Sequence, residues 1–459
     1  MNQNVTLSIG NLFLIDKVDV EFDYFKRVFR GIGGKAKELV PCTKLFMYNR
    51  LNNCFSINQI IPGYREELFE KLTFSNNPNE RLLYRNLERI GINFDFIMSR
   101  HQIFVYEENL VTGTQYIDFS SSYFEGGKCE LAEFGYSRDG QSGKKQLTYG
   151  ISTGINGIPS ALTIQKGNVP DKVHFNFMLK TSKAILGKYS LLVFDTGGNT
   201  KENKRNIREL DFNYLTLKAK KVKSYKRLIE YYNQNIKEEI IINGEKYFCV
   251  KHKTEDETQY IYFSENLKNN QLSHKERQFK KTLEKNKKVL DKTKKGKAIN
   301  EYLTEEGIVT TKGSLQKTLA EIENPNINGL EGFFVLESSL DIEPFKILCL
   351  YKDKDKAEKI FRNIKEGTEI RPMRHWNTNA IKGYILMIFL TNFFINLTLL
   401  RTKNPDVKNI KLLKKHLSNL TLGIFYDENH KKHEFIANKT KEIVSILADF
   451  LQNYTKTPH

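Results

Sequence analysis

Gly383–Leu400 (GYILMIFLTNFFINLTLL) is a run without a single charged residue, long enough to cross a bilayer as a helix. A segment this apolar has two destinations: lipid, or the centre of a core large enough to enclose it. Asn392 and Asn396 stand one helical turn apart inside it, and no second run of this kind occurs. Paired amides on one helical face are costly in hydrocarbon and easily satisfied within a protein. The run is therefore read as a buried core helix. The competing reading, a membrane protein, predicts a chain that needs detergent to remain folded. At 459 residues, with 39% hydrophobic and 12% aromatic side chains, the chain is long and apolar enough to build such a core and exceeds the length at which one core stops growing. Two or three domains are expected.

Charge narrows the class of partner. Lys and Arg number 72 against 54 Asp and Glu, a formal charge of +18, spread along the chain. That pattern suits a broad polyanion-binding surface, for which nucleic acid is the usual partner. Compositional bias is the competing source, since Lys, Asn and Ile are abundant throughout. The five cysteines, Cys42, Cys54, Cys129, Cys249 and Cys349, are odd in number, lie far apart and form no C-x-x-C, which points to reduced thiols and no zinc module. No signal peptide is expected.

Taken in order, residues 1 to about 40 read as short strands and turns, with Val18–Phe22 alternating as a strand would. Lys35–Asn58, Tyr64–Leu72, Asn79–Leu87 and Phe94–Val105 read as helices, either a DNA-binding domain or a structural bundle. From Gln115 the texture changes. Gln115–Phe119 alternates, Leu147–Ile151 and Ala161–Ile164 form a hairpin around GINGIP, and His174–Leu186 is helical. Leu191–Phe194 is a continuous apolar run, as in a strand buried on both faces, and ends in Asp195. A further helix and the strand Phe212–Lys218 complete an α/β domain with a mixed sheet. Beyond it, Glu239–Cys249 reads as a hairpin through Asn243-Gly244, Thr258–Phe263 as a strand, and Leu272–Ile299 as a long lysine-rich helix, solvated or tracking DNA. Gly332–Leu336 is an apolar strand. The last 50 or so residues read as helical, with Glu434–Tyr454 amphipathic.

Leu348–Lys365 reads as one helix. Tyr351, Lys354, Glu358 and Lys365 fall on one stripe at ~100° per residue, and Ala357, Ile360, Phe361 and Ile364 on the next. A carboxylate between basic residues on one face suits a metal-and-phosphate site; ordinary solvated ion pairs are the plainer account. Two further acids stand in comparable places. Asp118 is on an early strand, and Asp195 is at the carboxyl end of a buried strand, where open α/β sheets place ligands and where turn residues and helix caps are also common. Three acids brought together from separate elements can hold two divalent cations for in-line phosphoryl displacement. Hard oxygen ligands suit Mg²⁺, with Mn²⁺ as a substitute.

In this order the motifs QYIDFSSSYFE, FGYSRDG followed by a Gln, GNVPD, VFDTGGNT, FFVLES, the spaced set Tyr351, Lys354, Glu358 and Lys365, and RPMRHW resemble the insertion-sequence DDE transposases of the Y-(2)-R-(3)-E-(6)-K branch, with Lys354 in place of Arg. The resemblance runs from about Asp118 to Leu400. It implies an RNase H-like mixed-sheet catalytic core interrupted by a mainly β insertion domain, with a helical N-terminal domain. The corresponding division is 1–110, 111–219 (core), 220–331 (insertion), 332–402 (core) and 403–459 (helical). The resemblance also implies metal-dependent cleavage of transposon ends and strand transfer into target DNA. The implied ligands of two divalent cations are Asp118, Asp195 and Glu358, and the implied DNA contacts are Tyr351, Lys354 and Lys365. A lysine at position 354 is a point charge that cannot make the bidentate phosphate contact of an arginine. Trp376 and His375 are read as core and hydrogen-bonded surface, with base stacking by Trp376 as the alternative. The implied partner is double-stranded DNA, both terminal inverted repeats and target, bound by a homodimer in the prokaryotic cytoplasm at the nucleoid, with no membrane. The rival function is a catalytically inactive, transposase-derived DNA-binding protein.

If Lys365 touches phosphate, Lys365→Ala weakens DNA binding and lowers the log–log salt slope by roughly one unit. Binding isotherms across a salt series check this, and an unchanged slope removes Lys365 from the interface.

Overall fold

A computed structural model describes residues 4–32, 38–126, 129–136, 138, 140, 143–293, 324, 326–362, 375, 377–402, 407 and 409–456. The chain divides into two compact units, Met1–Asn213 with Asp353–His459, and Tyr214–Lys352. Both mix helices and strands.

The first unit is built around the apolar run. It forms the helix Thr378–Arg401, from Ala380 to Thr398 almost entirely buried. Among the described residues it is the one helix long and apolar enough to cross a membrane, and 78% of its most apolar window lies inside the protein. Asn392 is fully buried and returns its amide to the Ile388 carbonyl one turn back (2.9 Å), as Asn396 does to Asn392 (2.7 Å). The helices Leu39–Leu51, Glu80–Ile92 and Phe94–Glu107 pack on it. Against Glu80–Ile92 the contact is backbone to backbone. A Cβ on Gly91 would lie 1.7 Å from the Asn379 carbonyl oxygen, and one on Gly383 would lie 2.1 Å from that of Leu87. Each helix thus needs a residue without a side chain where the other crosses it.

The same unit holds two sheets. Strand β1 (Val5–Ser8) pairs antiparallel with β11 (Thr421–Tyr426), which pairs with β12 (Lys432–Ala437). The larger run has the order β4-β3-β2-β5, from β2 (Thr114–Tyr123), β3 (Gln146–Gly154), β4 (Pro159–Lys166) and β5 (Leu191–Phe194). The first three are antiparallel neighbours, and β5 runs parallel to β2. The helix Asp171–Lys183 covers one face, with Phe175 against Phe194 (ring centroids 4.6 Å apart).

The second unit contains all but the first residue of β6 (Asn213–Leu217), then β7 (Glu238–Ile242), β8 (Glu245–Lys253), β9 (Thr258–Phe263) and β10 (Phe333–Ser338) in the antiparallel order β6-β10-β9-β8-β7. Asn243 and Gly244, both at positive φ (51° and 79°), make the tight β7–β8 turn. The lysine-rich helix begins earlier than its sequence pattern indicates, at Glu265, and is described to Thr293. Strand β10, expected to resume the core, pairs here with β9 and β6.

Three expectations are corrected. Val18–Phe22 is not a strand but the end of the helix Gly10–Phe22, because Leu12, Ile15, Val18 and Phe22 are buried at helical spacing and a five-residue alternation is too short to outweigh that. The C-terminal region is not wholly helical. Thr421–Ala437 is a hairpin whose partner, β1, lies some four hundred residues away, beyond the reach of local pattern. Leu348–Lys365 is not one helix. Pro344–Lys352 and Lys354–Arg362 are separate, joined at Asp353, and the residues after 362 expected to complete the stripe, Lys365 among them, lie outside the described residues.

Gly383→Ala should destabilise the protein by about 1–3 kcal/mol, the usual cost of forcing an extra carbon into a packed contact. Denaturant unfolding measures it, with the exposed Gly113→Ala, whose new carbon meets nothing within 4 Å, as the matched control.

Candidate active site

The parallel ladder between β2 and β5 runs Thr114↔Leu191 to Ile117↔Phe194. The next residue on each strand is acidic: Asp118 and Asp195. Neighbouring strands lie about 4.8 Å apart, so two carboxylates leave the sheet side by side. Pleating sends Ile117 and Phe119 to the face covered by Asp171–Lys183 and Asp118 to the other, where the helix Lys354–Arg362 packs on β2. Asp195 precedes the short 3₁₀ turn Thr196–Gly198 in extended conformation, and its side chain makes no capping hydrogen bond there. Its carboxylate is therefore not explained as a cap.

Lys354 joins these acids to the third. Its Nζ lies 3.1 Å from Asp195 Oδ2 and 3.6 Å from Glu358 Oε1. The Lys354 side chain is 5% exposed, against 48% for Asp195 and 53% for Glu358. Lys354 and Glu358 are one turn apart on the same helix, the spacing that brings opposite charges together. Burial alone would depress the Lys354 ammonium, but the charges of Asp118, Asp195 and Glu358 outweigh it and raise the group above its usual range. Asp118 shows the converse. Burial raises its carboxyl above the ordinary 3.8, opposed by the charge of Lys354 and by the Phe119 N–H, which donates to Oδ1 at 2.9 Å.

Two residues not assigned a role from sequence complete the surroundings. The Arg138 guanidinium pairs with Asp171 and adds positive charge near Asp118. They belong to FGYSRDG and GNVPD, motifs whose position between Asp118 and Asp195 was the available signal. Gln146 Nε2 donates to the Tyr136 carbonyl (2.6 Å) and ties the first of these loops to β3. Behind Phe119, His174 sits fully buried between the hydroxyls of Thr148 and Thr163 (3.4 and 2.9 Å), and burial pushes it down to about 3. It is a neutral packing group, not a proton carrier at physiological pH.

The sequence-derived residues are thus divided. Asp118, Asp195, Glu358 and Lys354 converge. Lys354, assigned to phosphate, has its side chain buried and its ammonium beside Asp195 and Glu358. Tyr351 lies on the helix Pro344–Lys352 of the second unit, where Lys352 Nζ reaches Tyr247 Oη at 2.7 Å and Glu245 Oε2 at 3.3 Å. Lys365 and Trp376 lie outside the described residues. His375 is half-buried; it packs against Tyr384 (ring centroids 4.7 Å apart), and burial pushes it down to about 4.

Carboxylate oxygens are the hard donors that Mg²⁺ and Mn²⁺ take. Among the described residues, no three His, Cys, Asp or Glu side chains are grouped so as to hold a metal ion.

No family model and no curated protein sequence matches this chain. Among solved structures it is similar to the piggyBac transposase in a synaptic complex with hairpin DNA, with a TM-score of 0.43 and 9% identity, covering 100% of this chain and 85% of that one. So loose a likeness assigns nothing to the chain.

The raised pKa of Asp118 fixes a sign. A carboxyl titrating higher in the folded than in the unfolded chain favours folding at low pH, and that contribution is lost as pH rises through the folded value. Asp118→Asn should therefore melt above the native protein at pH 7, the difference shrinking as pH falls toward 3.8. Paired thermal melts across this range check it.

Proposed function

We propose that the protein is a DNA transposase of the DDE type, with an RNase H-like core in its first unit. The observation that carries the proposal is the convergence of Asp118 and Asp195, in step on neighbouring parallel strands, with Glu358 on the helix that covers them. The order β4-β3-β2-β5, three antiparallel strands with the fourth parallel to the first, supports the core assignment, and the charge of +18 supports a polyanionic substrate.

In this reading Asp118, Asp195 and Glu358 hold two divalent cations, Mg²⁺ or Mn²⁺. Bound there, such ions would stabilise the attacking and leaving oxygens of an in-line displacement at phosphorus. The carboxylates position rather than attack, so no covalent protein–DNA intermediate forms. Asp118 and Asp195 owe their spacing to the sheet, a rigid element suited to holding ligands. Arg138 adds positive charge beside them, and Tyr351 and Lys365 are assigned to DNA by the spacing of the signature alone. The substrate is the terminal inverted repeats and then target DNA, bound by a homodimer in the cytoplasm.

One observation favours a second reading, a transposase-derived protein that binds DNA without cutting it: a lysine, not an open space, lies between the acids. The two readings differ in a nicking assay on terminal-repeat DNA with Mg²⁺. Cleavage by the native chain, reduced in Glu358→Gln by more than the roughly 10–100-fold that losing a residue behind a metal ligand costs, supports the transposase. Binding with no cleavage supports the second reading, and undiminished cleavage removes Glu358 from the site.

A further inference from the structure

We propose that Lys354 is a resident counter-ion of the carboxylate cluster: its ammonium holds Asp118, Asp195 and Glu358 together and leaves their shared space when a divalent cation enters. The identity of that cation rests on the transposase reading; the counter-ion role rests on geometry.

Two like charges projecting side by side from neighbouring strands repel, and the partial burial of Asp118 reduces the water that would screen them. A cation among them offsets that repulsion at neutral pH. Lys354 supplies it from beneath, with its side chain almost wholly enclosed while the acids it contacts are about half exposed. A cation arriving from solvent meets the carboxylates first and the ammonium behind them. It would seek the same Asp195 and Glu358 oxygens that Nζ touches, and at such separations two cations repel strongly in a partly buried site.

The residue type fits the role. A lysine ammonium is a point charge on a flexible four-carbon stem, able to withdraw by rotating that stem, whereas a guanidinium would lock onto one carboxylate as a planar fork. The substitution of Lys for Arg in the signature then has a consequence: the site is closed by a removable charge. Lys354 is accordingly a positioning residue, acting on the reaction through the acids it gathers.

Two measurements on the full-length chain test this, with Mn²⁺ alone as probe. In the native protein, amine labelling of Lys354 read by mass spectrometry should rise several-fold on adding Mn²⁺, while labelling of lysines remote from the site stays constant. No rise overturns the proposal. In Lys354→Met, Mn²⁺ affinity measured by electron paramagnetic resonance should increase by about tenfold or more, the effect of removing a unit charge a few ångströms from the ion, whereas Lys354→Arg should not bind more tightly than the native chain. An unchanged or weaker affinity in Lys354→Met also overturns it. If that variant does not fold, the labelling experiment decides alone. Asp118→Asn and Glu358→Gln separate the two levels. Loss of Mn²⁺ binding in both, without a gain in Lys354→Met, sinks only the counter-ion role. Mn²⁺ binding indifferent to both acids sinks the metal site itself, and the counter-ion role with it.

Discussion

The helices Glu80–Ile92 and Thr378–Arg401 touch backbone to backbone because Gly91 and Gly383 sit where they cross. Much of the first unit follows from that contact. A helix apolar on nearly all sides cannot present a face to water, so elements from the whole length of the unit must close around it. Helices before residue 110, the sheet edge at β4 and the helix Ile410–Asn419 all pack on it. The resulting core is continuous from Val5 to Leu451. Close helix approach also lets side chains flanking the glycines interlock at the density of an organic crystal.

On the sheet the opposite logic applies. The face carrying Asp118 concentrates charge where the fold would be more stable with none. A carboxyl raised by burial, a second acid in step beside it and a buried lysine each cost desolvation, repaid only by their mutual attraction. Removing the lysine would leave the acids uncompensated. Arrangements of this kind are common at functional sites, where stability is given up for chemistry. The contrast with His174, equally buried but satisfied by two threonine hydroxyls, separates a polar group that serves packing from groups that packing alone does not explain.

Legibility in the sequence followed the range of the interactions. The β7–β8 turn was readable because Asn243-Gly244 states its own backbone geometry. Leu191–Phe194 was readable because a strand buried on both faces is uniformly apolar. The break at Asp353 was not, since a 3.6-residue period continues across it and only the anchoring of Lys352 on β8 residues shows that the first helix belongs elsewhere. The hairpin β11–β12 was missed for a related reason: its third strand comes from the other end of the chain.

The sequence by itself determined that Gly383–Leu400 would be a buried helix, that Asp118 would stand on a strand and Asp195 at the end of one, and that Lys354 and Glu358 would share a helical face, because each depends on periodicity and apolar patterning within a few residues. Only the tertiary structure decided where the Lys354 ammonium lies. Its spacing suited a phosphate contact on an exposed stripe, yet its ammonium lies beneath three acids from three elements. Which way a charged side chain turns is set by the field around it, and part of that field comes from Asp118 and Asp195, far away along the chain.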